Sequence, residues 1–269
     1  VQMCFRIHLK YPLIMVHGAG FRDRTAGVNY WGRIPKYLAR AGVRVFYGDT
    51  DAWGSIESNA LQLRRTVLSV LAKTGAEKVN IIAHSKGGLE ARRLVNAWDM
   101  ASRVASLTTI STPHRGVKAM NLAFQLPKRL YRFVSFCMDL WFMILGDLNP
   151  DFYTSSLELS AKRCAEFNRR NPDCGAVYCQ SYAGKLRFFF GDVLYLFTWV
   201  LVKLYDGDND GLCPVESAKW GSFRGIVTTR GALGISHGGI LDLYRIPYKG
   251  VKIPELYGAI VRDLAERGF

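Results

Sequence analysis

The sequence predicts an α/β fold with a mostly parallel central sheet flanked by helices. Two observations carry this prediction. Short apolar runs bounded by glycine or turn residues recur in the first half of the chain, and stretches with apolar residues at helical spacing lie between them. Runs that are apolar throughout are typical of strands buried on both faces, as in parallel sheets covered by helices.

The predicted strands are residues 12–16, 43–47, 79–83 and 104–110. The first ends in a glycine-rich loop, His17-Gly18-Ala19-Gly20. Between the second and third strands, apolar residues from Ile56 to Leu71 recur at helical spacing, with Ser55 as the expected N-cap and Glu57 in the first turn. Strands that alternate with helices in this way favour a parallel sheet.

After Asn121 the sequence changes in character. Residues 130–145 are strongly apolar but contain Arg132 and Asp139, and both this stretch and residues 193–202 are shorter than the ~20 residues of a bilayer span. Residues 157–168 have the pattern of an amphipathic helix that ends near Pro172. Because no repeat or low-complexity linker is present, we expect one domain over residues 1–269, with an approximate helical lid or cap insertion at 121–204.

The charge balance is strongly basic, with 36 Lys and Arg against 22 Asp and Glu, a net charge of +14 and a pI near 9.6. Such a surface attracts anionic membranes, lipid–water interfaces or nucleic acid, or serves solubility alone. No arginine-rich run or interleaved aromatic pattern is present, so we expect no nucleic-acid partner. The sequence leaves the oligomeric state open.

The six cysteines, Cys4, Cys137, Cys164, Cys174, Cys179 and Cys213, show no C-x-x-C spacing, which argues against a zinc site. Cys174 and Cys179 are close enough in sequence for a small-loop disulfide, and free buried thiols are an equal alternative. The chain begins at Val1 and reaches Arg6 without a signal-peptide apolar run, so either a leader is already removed or the chain is shortened. The cellular compartment stays open.

The strongest motif is Ala83-His84-Ser85-Lys86-Gly87-Gly88, which follows an apolar strand and precedes a helical pattern. A nucleophile elbow places a serine on a strained strand-to-helix turn and needs small residues two before and two after it. Ala83 stands where glycine is usual, and Gly87 matches. A serine before two glycines can also be a simple helix cap, but the strand before it and the helix after it favour Ser85 as a nucleophile in an α/β-hydrolase fold.

A serine hydroxyl needs a base and an orienting acid, which follow it in the order Asp or Glu, then His, in this fold. His237 is the one histidine after residue 114 and lies in a loop-like segment, so it is the predicted base. The predicted acid is Asp210, with Asp208 as the second choice. His84, His17 and His114 fit structural roles better.

The carboxylates at 206, 208 and 210 also resemble the start of an EF-hand loop. Ser217 stands where that loop needs glutamate, which argues against calcium binding of this kind. The oxyanion hole of this fold uses the N–H of the residue after the nucleophile, here Lys86, and one from the loop after an early strand, here His17-Gly18-Ala19.

The motifs of this chain resemble those of the bacterial true lipases, the triacylglycerol lipases. The matching segments are His17-Gly18 with Asp23, Tyr30-Trp31, and residues 74–80, 83–88, 107–116, 209–212 and 236–237. Residues 121–204 match only around Glu166-Phe167-Asn168. The resemblance implies hydrolysis of acylglycerol esters through an acyl-enzyme, with the triad Ser85, Asp210 and His237, oxyanion donors at Ala19 and Lys86, and a mobile lid after Gly116.

Many lipases of this family hold a structural calcium, with an aspartate two residues after the catalytic histidine as a ligand. Gly239 stands at that place, and Asp242 and Asp192 are the nearest substitutes. We therefore expect no cofactor and no catalytic metal, and a calcium ion that is dispensable or weakly bound.

The leading prediction is a lipase that acts on a lipid or other ester substrate in contact with a lipid–water interface. The alternatives are a carboxylesterase for short soluble esters, a less favoured acyltransferase or thioesterase, and a catalytically silent lipid-binding module. The apolar face of residues 130–145 is expected to cover the acyl pocket in water, unless this segment is packed permanently in the core or forms a dimer contact.

Overall fold

The computed structural model of the protein describes residues 6–25 and 28–269. Its strands are β1 Leu13–Val16, β2 Arg24–Thr25, β3 Val28–Asn29, β4 Val45–Tyr47, β5 Val79–His84, β6 Val104–Ile110, β7 Tyr178–Gly184 and β8 Ser222–Val227. Six of them form a parallel sheet in the order β4-β1-β5-β6-β7-β8, and β2 pairs with β3 in a separate antiparallel ribbon. The predicted parallel α/β architecture is confirmed.

The α-helices are α1 Ile34–Arg40, α2 Ile56–Thr74, α3 Lys86–Val95, α4 Lys128–Ile144, α5 Phe152–Glu158, α6 Ala161–Arg170, α7 Leu196–Asp206, α8 Val215–Ala218 and α9 Ile253–Glu266. Short 3-10 turns lie at Met100–Arg103, Lys118–Gln125, Phe189–Gly191, Val193–Tyr195 and Gly239–Leu241.

Side chains alternate between the two faces of the sheet along each strand. Because apolar side chains point to both faces, helices cover both. Leu13 and Met15 of β1 pack in the cluster that contains residues of α1 and α9. Ile14 and Val16 pack in the cluster that contains residues of α2 and α3. The strands β1, β5 and β6 are buried on both faces for this reason, whereas β4, at the edge of the sheet, is only half-buried.

Helix α2 begins as the sequence predicts. The Ser55 hydroxyl accepts a hydrogen bond from the Ser58 N–H at 3.2 Å, and Glu57 lies in the first turn. The helix ends at Gly75, whose φ of +68° suits a glycine.

The helix predicted over residues 157–168 is wrong as one element. The structure ends α5 at Glu158 and begins α6 at Ala161. Ser160 separates them, because its hydroxyl accepts from the Arg163 N–H at 3.3 Å and so caps a new helix.

The range 121–204 contains α4 to α6 and most of α7, but it also contains β7, which pairs with β6 and β8 inside the sheet. The helical part therefore falls into two segments, one on each side of β7. In the described part of the chain, no helix is both long enough and apolar enough to cross a bilayer.

Candidate active site

Ser85 lies on the turn between β5 and α3, which confirms the prediction that a strand precedes it and a helix follows it. Its φ of +54° and ψ of −130° form a conformation that residues with a Cβ rarely adopt. The Ser85 N–H donates to the carbonyl oxygen of Ile110 at 3.0 Å, which ties the turn to the end of β6. Ser85 is only partly buried, so its side chain reaches the surface at a helix N-terminus.

The glycines after Ser85 are required by close packing. A Cβ on Gly87 would lie 2.2 Å from the carbonyl oxygen of His17, which is backbone at the end of β1. A Cβ on Gly88 would lie 2.2 Å from Oγ1 of Thr112. Since backbone cannot yield to a side chain here, the helix can follow Ser85 directly only with glycine at residue 87.

Asp210 and His237 come together from loops 27 residues apart in sequence. The Nδ1 atom of His237 lies 2.8 Å from Oδ2 of Asp210, and the His237 N–H donates to the Asp210 carbonyl oxygen, also at 2.8 Å. The other carboxylate oxygen accepts from the N–H groups of Leu212 and Cys213, at 3.1 and 2.8 Å. Asp210 is fully buried, so these donors are what stabilises its negative charge.

Asp208, the second choice for the acid, faces elsewhere. Its carboxylate pairs with Lys185 and lies 2.7 Å from Nζ of Lys203. Hydrogen bonds to these two ammonium groups lower the pKa of the Asp208 carboxyl. Asp206 accepts instead from the N–H groups of Lys118 and Ala119.

Lys86, one of the two predicted oxyanion donors, directly follows Ser85. Lys86 is the first residue of α3, where N–H groups have no acceptor within the helix. Its side chain is fully buried in an ion pair with Glu90, which also accepts from Nδ2 of Asn59 at 2.8 Å. Only the backbone N–H of Lys86 is therefore left for a substrate.

The loop that contains Ala19 is held against the turn of Ser85. A Cβ on Gly18 would lie 2.6 Å from Cβ of Ser85, so glycine is required for the approach. The Gly18 N–H donates to the Tyr30 hydroxyl at 3.0 Å, and the Gly18 carbonyl oxygen lies 2.7 Å from Nδ1 of His17. His17 thus braces the loop, as the sequence predicts.

Two side chains that sequence reasoning did not assign to the site also reach it. The His84 ring lies 4.3 Å from the His237 ring between centroids, and Nδ1 of His84 lies 2.7 Å from the Tyr30 hydroxyl. Burial and the neighbouring His237 hold the pKa of His84 well below its usual value. The motif shows that His84 precedes Ser85, but nothing in the sequence indicates that Tyr30, 54 residues away, is its partner.

The carboxylates around the histidine loop are engaged by other side chains of the protein. The two carboxylate oxygens of Asp242 lie 2.6 and 2.7 Å from guanidinium nitrogens of Arg33, which already neutralises this carboxylate. Asp192 accepts from the Ser236 hydroxyl at 2.5 Å, and Gly239 has no side-chain oxygen. Within residues 6–25 and 28–269, no group of three or more His, Cys, Asp and Glu side chains could hold a metal ion.

The cysteines outside residues 1–5 carry free thiols, so no disulfide joins Cys174 to Cys179. Burial raises the pKa of Cys164 and of Cys179 to about 12. Such thiols are inert rather than nucleophilic at neutral pH. Cys4 lies outside the described residues.

Two apolar surfaces lie beside the site. The first is the outer face of α4, where Phe133 is 65% and Ile144 72% exposed. The second is formed by the Phe189–Gly191 turn and α7, where Phe197 is 84% exposed. The α4 face was expected to be covered, but its side chains point to solvent, and Ser135 is the buried residue of this helix.

Both apolar surfaces reach the loops that contain Ala19 and His237. Trp141 and Phe142 of α4 line a cavity of about 210 Å³ together with Gly20 and Phe21, next to Ala19. Tyr195, at the start of α7, packs edge-on against the His237 ring with centroids 6.2 Å apart. The site thus lies between two surfaces that expose large apolar side chains.

Comparisons with known proteins agree with this architecture. Residues 12–164 match the family described as palmitoyl protein thioesterase. The structure superposes on the lipase of Staphylococcus hyicus with a TM-score of 0.70 and 17% identity, covering 96% of each chain, which shows the shared fold.

The relatives by sequence include named triacylglycerol lipases, two of which show the range of coverage. A triacylglycerol lipase of Vibrio cholerae is 39% identical over 113 residues, which are 42% of this chain and 36% of that protein. The chain therefore matches only about a third of that relative's length. Triacylglycerol lipase 2 of Saccharomyces cerevisiae is 28% identical over 263 residues, 90% of this chain and 75% of that protein.

Both sequence relatives are named triacylglycerol lipases, which confirms the resemblance stated from the motifs. By the match over residues 12–164, within an α/β-hydrolase fold, the chain belongs to the palmitoyl protein thioesterase family.

Proposed function

We propose that this protein hydrolyses carboxylic ester bonds of acylglycerols through an acyl-enzyme formed on Ser85. The observation that carries this proposal is the hydrogen bond between His237 and the fully buried Asp210, beside the strained turn that presents Ser85. A histidine oriented by a carboxylate next to a serine on an elbow is the arrangement that acyl transfer requires.

In the acylation step, Nε2 of His237 takes the proton of the Ser85 hydroxyl while Oγ forms a bond to the ester carbonyl carbon. The carbonyl oxygen becomes an oxyanion that accepts from the N–H groups of Ala19 and Lys86. The tetrahedral intermediate then breaks its bond to the leaving alcohol oxygen, which receives the proton from His237. The Asp210 carboxylate stabilises the imidazolium formed in between.

Deacylation repeats these steps with water. His237 takes a proton from the water molecule, whose oxygen attacks the acyl carbon of the Ser85 ester. The intermediate breaks its bond to Oγ, and the proton returns to Ser85. The products are a carboxylic acid and the free enzyme, so no cofactor is needed to balance the reaction.

The exposed apolar faces of α4 and α7 favour a water-insoluble substrate. Exposed apolar side chains raise the free energy of the protein in water, and this free energy falls when they contact lipid. Lys128, Arg129 and Arg132 at the start of α4 add attraction to an anionic interface. We infer that α4 is a lid, and that it has its apolar face turned outward in this structure.

The experiment that tests this function is a rate profile across esters of increasing acyl length, each assayed below and above its solubility limit. We expect the rate to rise sharply once a long-chain ester aggregates, because the apolar faces then contact the substrate surface. Saturation on short dissolved esters with no further rise would instead indicate a carboxylesterase. No hydrolysis of any ester would indicate a lipid-binding module.

The variant with Phe133→Ser and Trp141→Ser tests the role of α4 in the same assay. It should flatten the rise on aggregated substrate and leave hydrolysis of a short soluble ester unchanged. The matched control is Leu61→Ser with Leu68→Ser, which removes two exposed apolar side chains from α2 and should preserve the rise. A variant that loses both activities and no longer unfolds cooperatively would show instead that α4 is part of the core.

A second candidate follows from the family match to palmitoyl protein thioesterases. The same serine, base and oxyanion donors accept an S-acyl thioester, with a thiol as the leaving group in place of an alcohol. A long-chain acyl thioester assayed beside the ester of equal chain length distinguishes the two substrates by their kcat/KM values.

A further inference from the structure

We propose that Tyr30 and His84 form a positioning pair that fixes the oxyanion loop relative to Ser85 and packs a neutral imidazole against His237. The proposal rests on the function proposed above. It concerns two buried side chains that take no part in the proton transfers of that mechanism.

The partners of the Tyr30 hydroxyl define which atom donates in each of its two hydrogen bonds. The Gly18 N–H can only donate, so the Tyr30 oxygen accepts there, at 3.0 Å. Among the described residues, the remaining polar contact of the Tyr30 hydroxyl is Nδ1 of His84 at 2.7 Å, so its proton points to that nitrogen. His84 therefore accepts at Nδ1 and carries its proton on Nε2.

The Nε2 proton of His84 lies in the protein interior, close to the His237 ring. The His84 ring interacts with the backbone of His237, but no acceptor among the described residues lies within hydrogen-bond distance of its buried Nε2. The His84 ring lies 4.3 Å from the His237 ring, with an angle of 50° between their planes. Burial keeps His84 neutral, as its lowered pKa indicates, so it adds no charge next to His237 when that ring becomes an imidazolium.

The pair acts on the oxyanion loop through Gly18. The Tyr30 hydroxyl holds the N–H of Gly18, and Nδ1 of His17 holds its carbonyl oxygen at 2.7 Å. That carbonyl belongs to the same planar peptide unit as the Ala19 N–H, and in a trans peptide the two groups point in opposite directions. Fixing Gly18 at both ends therefore fixes the direction of the Ala19 N–H.

The same contacts set the distance to the nucleophile. A Cβ on Gly18 would lie 2.6 Å from Cβ of Ser85, 2.9 Å from the Tyr30 oxygen and 3.3 Å from Nδ1 of His84. These atoms converge on one point. Since His84 directly precedes Ser85, the Tyr30–His84 hydrogen bond connects the donor loop to the elbow itself.

The test compares Tyr30→Phe with the matched control Tyr257→Phe. Tyr257 is also buried in the same core cluster, packs against Trp31 and has a hydroxyl that finds no hydrogen-bond partner in the described part of the chain. Tyr30→Phe should lower kcat by about 10- to 100-fold, since a loosened oxyanion donor loses part of its effect, and should leave KM nearly unchanged. Tyr257→Phe should leave both parameters at the parent value.

Affinity for a trifluoromethyl ketone of the same chain length is the readout that a purely structural role would not change. This compound forms a tetrahedral oxyanion on the serine, so its binding measured by calorimetry should weaken by the same factor as kcat. Binding of the corresponding secondary alcohol, which forms no oxyanion, should stay constant. Unchanged kcat and ketone affinity in Tyr30→Phe would overturn the proposal.

A double-variant cycle of Tyr30→Phe and His84→Phe tests whether the two side chains act together, and His84→Phe alone tests the pair from its other side if Tyr30→Phe is unstable. Because both side chains act through one chain of hydrogen bonds, the kcat of the double variant should be no lower than that of the less active single variant. Independent, multiplying losses would contradict the pair. Absence of ester hydrolysis and of ketone binding in the parent protein would overturn the proposed function, and the role of the pair with it.

Discussion

Replacing Ser85 by alanine is expected to lower kcat for ester hydrolysis by about 10⁴- to 10⁶-fold, because the variant has no nucleophile and retains only binding and oxyanion stabilisation. The fold should persist. Alanine and serine meet the same restriction at a φ of +54°, and the backbone hydrogen bond to Ile110 does not involve the hydroxyl. The measurement is kcat together with the melting temperature.

The matched control is Ser106→Ala. Ser106 is fully buried, lies near the start of β6 and donates to Oδ1 of Asn80 at 2.7 Å. Its replacement should lower the melting temperature and leave kcat unchanged, since it leaves a buried amide oxygen without its donor. Loss of a nucleophile should remove far more than nine tenths of the activity. If Ser85→Ala keeps more than about a tenth of the parent activity, Ser85 is not the nucleophile.

The second large effect concerns the acid of the triad. Asp210→Asn should lower kcat by about 10⁴-fold, because an amide N–H facing Nδ1 holds His237 in the tautomer that cannot accept the Ser85 proton. The amide oxygen can still accept from the N–H groups of Leu212 and Cys213, so the loop should stay in place.

Asp208→Asn is the control for this change, two residues away. It removes the ion pairs with Lys185 and Lys203, which lie at the surface and contribute little to stability. Activity should therefore stay near the parent value. An active Asp210→Asn protein beside an inactive Asp208→Asn protein would move the acid to residue 208.

The central strands β1, β5 and β6 could be predicted because each is rich in apolar residues, many of them β-branched. The strands β7 and β8 could not. The buried residues of β7 include Gln180 and Ser181, whose polar groups are satisfied by Thr108 and by the backbone of Trp220. Partners of this kind come from the tertiary fold, so the strand has no hydrophobic signal of its own.

The candidate site shows the same division. Ser85 and its small neighbours follow from local geometry, since the turn excludes larger side chains. Asp210 and His237 could be proposed from chain order and from the limited number of histidines. The contacts of Tyr30 with Gly18 and His84 join distant segments and need coordinates to be seen.

The central claim is that the Ser85 hydroxyl is activated by His237, and labelling with a fluorophosphonate measures this most directly. The reagent reacts with serine hydroxyls whose proton is removed by a base. The account predicts one label per folded chain, located on the peptide that contains Ser85, absent from Ser85→Ala and formed far more slowly in Asp210→Asn. A folded parent protein that takes up no label, or carries it on a residue other than Ser85, would contradict the account.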